Sequence, residues 1–464
     1  MTIPVKDRDP KLKGPLAGVR VIEMGQLLAG PFTASRLADF GAEIIKIETP
    51  GKGDPMREWG HHRWEGKCLW WSTLARNKKS VTANLRDERG QNLVRKLVAE
   101  ADVLTENFKP GTLEKWGLGP DELHKINPGL IISRVSGYGQ TGPNSERPGF
   151  ASVGEAMSGM RYINGFPNQA PPRTGLSLGD TLTGMFAAQG ILMALYWRDA
   201  MNGGKGQVVD TSIAESCLSM MESALPEYDK LGVIREPSGT GLANVAPSNL
   251  YPTSDGKYVI IAANIDAMFQ RLCTAMDKLE WIEDPRFVDH KARGANAELL
   301  DGLIGEWTST MTAADLTKRL DDNGVVVGPI NTIADVAADP HYQARNMIRN
   351  EKDDFFGEIA VPGIVPVLSE TEGDVGWLGS PAPGSHNEEI YNDEPVINVN
   401  KGIEYVRENE IDQNELWWYL ETRRFGSAPH SGFGLGFERL VQFVTGMTNI
   451  RDAVSYTHLR AHET

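Results

Sequence analysis

Cysteine is scarce in this chain of 464 residues: Cys68, Cys217 and Cys273 stand far apart with no paired spacing, so neither a disulfide framework nor a zinc site is signalled. A signal-type apolar run is missing from the opening MTIPVKDRDPKLKGP, and no stretch reads as a membrane span. The cytoplasm is therefore the expected location, with no membrane partner. Excess positive charge is lacking as well: 47 Lys and Arg face 62 Asp and Glu, a net charge of -15, which argues against a broad nucleic-acid surface. The first strand-to-helix turn, GQLLAGP, lacks the glycine spacing of a dinucleotide fingerprint, and neither a Walker loop nor a nucleophile-elbow serine occurs. His61 and His62 are adjacent but have no ligand set around them, so no metal is expected.

What is present is a globular pattern of ordinary hydrophobicity, rich in glycine and proline and long enough for two or three domains. GVRVIE at 18–23 reads as a short strand, FTASRLADFGA has helical spacing up to Gly41, and EIIKIE begins a second strand at once. Strand, turn, helix and strand in such quick succession open a βα unit of a parallel sheet. The pattern continues with a helix near 88–100, a strand at ADVLTEN, a short helix near 119–125 and the strand LIISRVS. These strands are apolar on both faces, as a sheet covered by helices on both sides requires. A long helix is predicted from near Thr181 through MFAAQGILMALYWRDA, apolar all round and so buried, and NGGKG stops it. Past residue 225, NLYPTSDGKYVIIAA reads as a hairpin turning at Ser254 to Gly256, with helices near 264–277, 294–308 and 312–320. We expect a large open α/β domain over 1–224, a small α+β domain over 225–330, a return segment over 331–392 and an unrelated tail over 393–464.

The first chemical candidate is Asp180 in SLGDTLTG, which follows a glycine and precedes the long helix. One reading is an aspartate capping free amides at the helix start. The other uses the same geometry: the dipole holds the carboxylate ionised, Gly179 removes a blocking side chain, and the aspartate is free to act as a nucleophile. A second candidate is ARNKKS at 75–80, where Arg76, Lys78 and Lys79 follow Trp70 and Trp71. Cations beside rings suit phosphates and an adenine, and they equally suit a solvated turn.

In this order, LAGVRVIEMGQLLAGP, LADFGAEIIKIETPGKGDPMR, NLRDERG, ADVLTENFKPG, VSGYGQTGP, LGDTLTGMFAAQGILMAL, GGKGQVVDTSIAES and GSHNEEI resemble the family III coenzyme A transferases (CaiB/BaiF-like), across about residues 12–392. The resemblance implies a Rossmann-like large domain with a smaller α+β domain, an interlocked homodimer, and exchange of coenzyme A between an acyl thioester and a small carboxylate. It makes Asp180 the catalytic nucleophile, passing through aspartyl anhydride and aspartyl thioester species. No permanently bound cofactor is implied, since coenzyme A and its thioester come and go as substrates. The coenzyme A site of the family maps onto Arg76, Lys78 and Lys79 for the phosphates, and onto Asn107, Lys109 and Gly111 beside the pocket, with an amide of the AGP turn near the thioester. Where formyl-transferring members have a glutamine before AGP, this chain has Leu28, which turns the expectation toward C4 or C5 dicarboxylates. Related 2-methylacyl-coenzyme A racemases need a histidine after GYGQTGP, yet the segment here, NSERPGFASVGEAMSG, has Phe150 and no imidazole. That leaves racemization as a weak alternative, beside a coenzyme A thioester-binding protein impaired in turnover.

The tail has another character. Over about 407–453, RRFGSAPHSGFGLGFERL resembles the third signature motif of asparaginyl-tRNA synthetases, in which Arg439 would contact ATP. Two earlier motifs and an anticodon-binding domain are missing, so the fragment is expected to be inactive. Its Trp417, Trp418, Phe433 and Phe437 would be an aggregation hazard if exposed. The final VSYTHLRAHET fits neither family and reads as translated adapter sequence, which points to a joined reading frame.

Overall fold

The computed structural model describes residues 12–60, 62–201, 203–242 and 244–391. His61, Arg439 and the tail aromatics lie outside the described residues. Two compact units divide the chain. One comprises residues up to Gly149, Asp180–Ile213 and those from Asn350 on; the other comprises Phe150–Gly179 and Ala214–Arg349. The division thus falls at 213 and 349, where periodicity had suggested 225 and 331, and the segment 150–179 goes with the second unit. Local pattern does not reveal which neighbours an irregular segment will find.

The first unit is built on six strands: β1 (Arg20–Glu23), β2 (Glu43–Glu48), β3 (Lys78–Thr82), β4 (Val103–Glu106), β5 (Ile131–Ser136) and β6 (Val208–Ser212). They lie in the order β3-β2-β1-β4-β5-β6, every pair parallel. Alternation along the strands serves two cores. Val21, Ile44, Val103 and Ile131 share one face with helices α1 (Ala29–Ala38) and α3 (Leu178–Asp199), while Ile22, Ile45, Leu104 and Ile132 share the other with α2 (Glu88–Ala99). Each of these fully buried side chains is worth about 2 kcal/mol.

Strand β3 was not predicted, because KKSVT reads as polar. It is an edge strand, and the return segment covers it: Ser80 N–H donates to His386 Nδ1 (3.0 Å) and Thr82 N–H to Asn387 Oδ1 (2.8 Å). That gives the GSHNEEI motif a structural use. Among the described residues, α3 alone is long and apolar enough to cross a membrane, which corrects the reading that no stretch is. Its Ala187, Ala188, Ile191, Ala194 and Leu195 are nonetheless buried against the sheet.

In the second unit, β7 (Ser248–Pro252), β8 (Tyr258–Ala262) and β9 (Val326–Pro329) form an antiparallel sheet in the order β9-β8-β7. The predicted hairpin turns at Gly256, whose φ of +73° suits glycine. Helices α4 (Asp266–Ala275), α5 (Ala297–Thr308) and α6 (Ala313–Asp322) pack on one face, around Tyr251, Val259, Ile261, Phe269 and Phe287.

Candidate active site

The chain travels outward from β1 to β3 on one side and from β4 to β6 on the other, so the sheet reverses its order between β1 and β4. Ligands of open α/β sheets settle in the crevice beyond the carboxyl ends of the strands at such a point. Here that crevice is bordered by the turn Met24–Leu28, the start of α1 and the loop after β4. Asn107 in that loop ties the two sides together. Its Oδ1 accepts the Gln26 N–H (2.8 Å), and its Nδ2 donates to the Gln26 carbonyl (2.8 Å). Gly25 and Gly30 let the chains approach: a Cβ on Gly30 would stand 3.1 Å from Asn107 Cγ, and one on Gly25 would stand 3.0 Å from the Pro31 ring.

Helix α1 opens without a side-chain cap. The amides of Ala29 and Gly30, both buried, meet no partner among the described residues. Orphan buried amides cost about 1–3 kcal/mol each, and a helix start that keeps them is an anion or oxyanion site in waiting. Leu27, with φ at +62°, makes the turn that aims them, an uncommon conformation for a leucine.

Asp180 reaches this place through α3. A Cβ on Gly184 would fall 2.8 Å from the Phe32 ring, 3.0 Å from Ala29 O and 3.2 Å from Thr33 N, so α3 touches α1 at its first turn. Further along, Ala187 meets Ala29 and Val135, and then Ala188, Ile191, Ala194 and Leu195 share a core with Ala34, Leu37 and Ala38. Later residues of one helix meet later residues of the other, so the two run in the same direction. Asp180 lies on the Gly184 face one turn earlier, roughly 6 Å back along the axis, which carries it past the open end of α1. Its side chain is half-buried.

Helix α3 begins at Leu178, ahead of the predicted Thr181, so Asp180 is its third residue rather than its cap. Ser177 and Asp180 keep the spacing of a capping box, a structural use of the same carboxylate. One amide of this turn is served from elsewhere: Gly179 N–H donates to Oε1 of Glu155 (3.0 Å), a buried carboxylate on the helix Ala151–Met157. Gly179 is closely packed, since a Cβ would stand 3.2 Å from Ala151 O and 3.3 Å from Cys217 Sγ. Sequence reading missed Glu155. Its signal was a lone carboxylate in the otherwise uncharged ASVGEAM.

The other predicted residues fall into two groups. Lys109 is exposed on the loop after β4 and makes no ion pair among the described residues, and Gly111, at φ +82°, starts the short helix Thr112–Lys115. Glu106, at the end of β4, steadies this loop by accepting the Phe108 N–H (2.7 Å), with Arg134 Nε on its other oxygen (2.9 Å); burial pushes its carboxyl up to about 7, against the pull of Arg134. The cations of ARNKKS, by contrast, turn inward. Arg76 pairs with Asp39 (2.7 and 2.9 Å), Lys78 with Glu23 (2.8 Å), and Lys79 with Glu43 (3.1 Å) and Glu389 (2.7 Å), and all three are buried. Holding phosphates would require these pairs to break. Burial draws the Lys78 ammonium down to about 8, with Glu23 opposing.

Asp180 thus stands on α3 one turn ahead of the contact between Gly184 and the start of α1, whose Ala29 and Gly30 amides have no partner among the described residues. Comparison with known proteins supplies the chemistry. The family model described as CoA-transferase family III matches residues 16–387, and that of class II tRNA synthetases (D, K and N) matches residues 392–460. The chain is 54% identical over 379 residues to the succinyl-CoA–D-citramalate CoA-transferase of Chloroflexus aurantiacus, covering 82% of this chain and 94% of that protein. It is 43% identical to the alpha subunit of succinyl-CoA–L-malate CoA-transferase from Chloroflexus aurantiacus (79% and 86% covered) and 34% identical to the succinyl-CoA:glutarate CoA-transferase of Mus musculus (75% and 79%). Among solved structures, a CAIB/BAIF family protein from Brucella suis superposes with a TM-score of 0.73 at 36% identity, covering 82% of this chain and 99% of that one.

Proposed function

The chain belongs to coenzyme A transferase family III, and we propose that it moves coenzyme A from succinyl-coenzyme A to a small dicarboxylate of the malate or citramalate kind, with Asp180 as nucleophile. The observation that carries this reading is the packing of Gly184, one turn after Asp180, against the start of α1 with its uncapped amides of Ala29 and Gly30. The Asp180 carboxylate attacks the thioester carbonyl, and the C–S bond breaks to give a succinyl-aspartyl anhydride and coenzyme A thiolate. The thiolate then attacks the aspartyl carbonyl, releasing succinate and leaving an aspartyl-coenzyme A thioester. The acceptor carboxylate displaces the thiolate to form a second anhydride. Thiolate attack on its acceptor acyl carbonyl yields the new coenzyme A thioester and frees Asp180. No proton is gained or lost, and each intermediate keeps a carbonyl activated so long as water stays out.

The amides at the start of α1 suit the oxyanion of these steps, where a single such donor is worth about 3–4 kcal/mol. Asn107, Lys109 and Gly111 lie on the loop after β4 that borders the crevice, and the exposed Lys109 suits a coenzyme A phosphate. Arg76, Lys78 and Lys79 are better suited to structure. Leu28, 4% exposed, presents no polar group to the acceptor, in keeping with a substrate larger than formate or oxalate. Phe150 offers no base for racemization. A homodimer accounts for Met185, Leu192, Met193 and Tyr196, exposed along one face of α3, which a second copy would cover. The cytoplasm suits an enzyme whose three cysteines form no disulfide. The synthetase-like segment of 392–460 takes no part in this activity.

The test is to incubate the protein with succinyl-coenzyme A and hydroxylamine and to look for a hydroxamate on Asp180 by mass spectrometry. Labelling at Asp180 supports the transferase. Saturable coenzyme A binding without labelling favours the alternative, a thioester-binding protein.

A further inference from the structure

Four ionisable side chains with almost no solvent exposure lie beneath the open end of α1: Glu23 (0%), Lys46 (1%), Lys78 (2%) and Asp54 (2%). Lys46 Nζ pairs with Glu23 (2.6 Å) and Asp54 (2.7 Å), and Lys78 Nζ pairs with the other oxygen of Glu23 (2.8 Å). Two cations and two anions balance. Burying four charges is nonetheless costly, and well-packed apolar residues would serve stability as well or better. Their remaining contacts give the set a purpose.

Apart from Lys46 Nζ over the Trp71 ring (5.8 Å), all of these contacts but one go to the main chain of a single turn. Lys46 donates to the Gly25 carbonyl (3.0 Å), Lys78 donates to the Pro31 carbonyl (2.6 Å), and Asp54 Oδ1 accepts the Leu27 N–H (3.0 Å). The exception is the Met56 N–H, which Asp54 also accepts (2.8 Å). Asn107 takes both polar groups of Gln26. The turn is thus gripped at Gly25, Gln26, Leu27 and Pro31, on both sides of the amides of Ala29 and Gly30, which stay unsatisfied. Leu27 sits at φ +62°, a conformation that a leucine keeps only when its surroundings hold it there.

We infer that Lys46, Lys78 and Asp54 are positioning residues that hold the turn Gly25–Pro31 so that the Ala29 and Gly30 amides meet the oxyanion, and that Lys78 acts through this main chain rather than on a coenzyme A phosphate. The inference rests on the transferase reading of Asp180. It adds a role that neither packing nor substrate contact would produce: loss of the clamp slows the chemical step while coenzyme A still binds.

The test uses the full chain carrying Lys78→Met, with Asp54→Asn as a milder second variant should the first fail to fold. Free coenzyme A affinity, KM for succinyl-coenzyme A, kcat and the rate of hydroxamate formation at Asp180 are measured. For Lys78→Met we expect kcat and the trapping rate to fall about 100-fold, with coenzyme A affinity and KM within about 3-fold, as for a lost oxyanion donor. Asp54→Asn should give the same pattern with a loss of about 10-fold. A KM raised tenfold at unchanged kcat overturns the inference, because it marks a phosphate ligand; unchanged kcat and KM overturn it too, because they mark packing alone. Absence of the Asp180 hydroxamate in the unmodified protein sinks the transferase reading itself, an outcome separate from any behaviour of the variants.

Discussion

The two units bury charge for different ends. In the parallel sheet, Glu23, Lys46, Lys78 and Asp54 are sunk next to a crevice and grip a turn whose amides remain open. In the antiparallel unit, Arg293 is equally buried, yet its guanidinium donates to the carbonyls of Phe287 (3.0 Å) and Asn264 (2.8 Å), pairs with Asp266 (2.6 Å), and lies over the Phe269 ring. The helix start beside it, at Asp266, is also uncapped but lies exposed to water. A buried charge that closes the buried polar groups near it serves the fold. One that leaves chosen donors open serves chemistry.

Variants can break or sharpen this contrast. The largest effect is expected for Asp180→Asn, which keeps shape and loses the nucleophile: kcat should drop on the order of 10⁴-fold, with stability changed by less than about 1 kcal/mol, as read by turnover and chemical denaturation. Next comes Gly184→Ala. Its Cβ would press on Phe32 and on the Ala29 main chain, pushing α3 from the start of α1. We expect kcat to fall about 100-fold, since a displacement near 1 Å suffices for that, together with about 1–3 kcal/mol of stability.

A smaller effect follows from pH. Lys78, facing Glu23, Lys46 and Asp54, has its folded value drawn below that of the unfolded chain, to about 8 from 10.5. The unfolded chain therefore binds the proton more tightly between these values, so the contribution of this group to stability is present above 10.5 and is lost as pH falls through 8. Activity should move the other way, with kcat declining a few-fold as pH rises past 8 and the clamp loses its charge; a pH–rate profile that is flat there in Lys78→Met would assign the decline. The smallest catalytic effect belongs to the second unit. Arg293→Met should cost about 3 kcal/mol through orphaned carbonyls, measured by denaturant midpoint, and leave kcat of the folded enzyme within about 2-fold.

Much of the fold was legible because it is local. EIIKIE coincides with β2, LIISRVS lies one residue from β5, the predicted helix near 88–100 is α2, and the hairpin turns where glycine permits. Asp180 could be singled out because a glycine and a long apolar helix flank it. Lys78 and Lys79 were read as exposed phosphate ligands, since polar runs usually face water. What buries them is long-range pairing: β3 lies beside β2, and Glu23 and Glu43 on neighbouring strands supply the counter-charges. Glu155 escaped notice for the same reason, its partner Gly179 being 24 positions away.

By itself, the order of apolar runs, turns and glycines determined an α/β chain with an aspartate at the start of a long apolar helix, because strand and helix periods and φ preferences are carried by neighbouring residues. The tertiary structure decided which charges were buried as ion pairs and which helix start kept its buried amides open. Burial, ion pairing and the aim of a helix end depend on segments that meet only when the sheet closes.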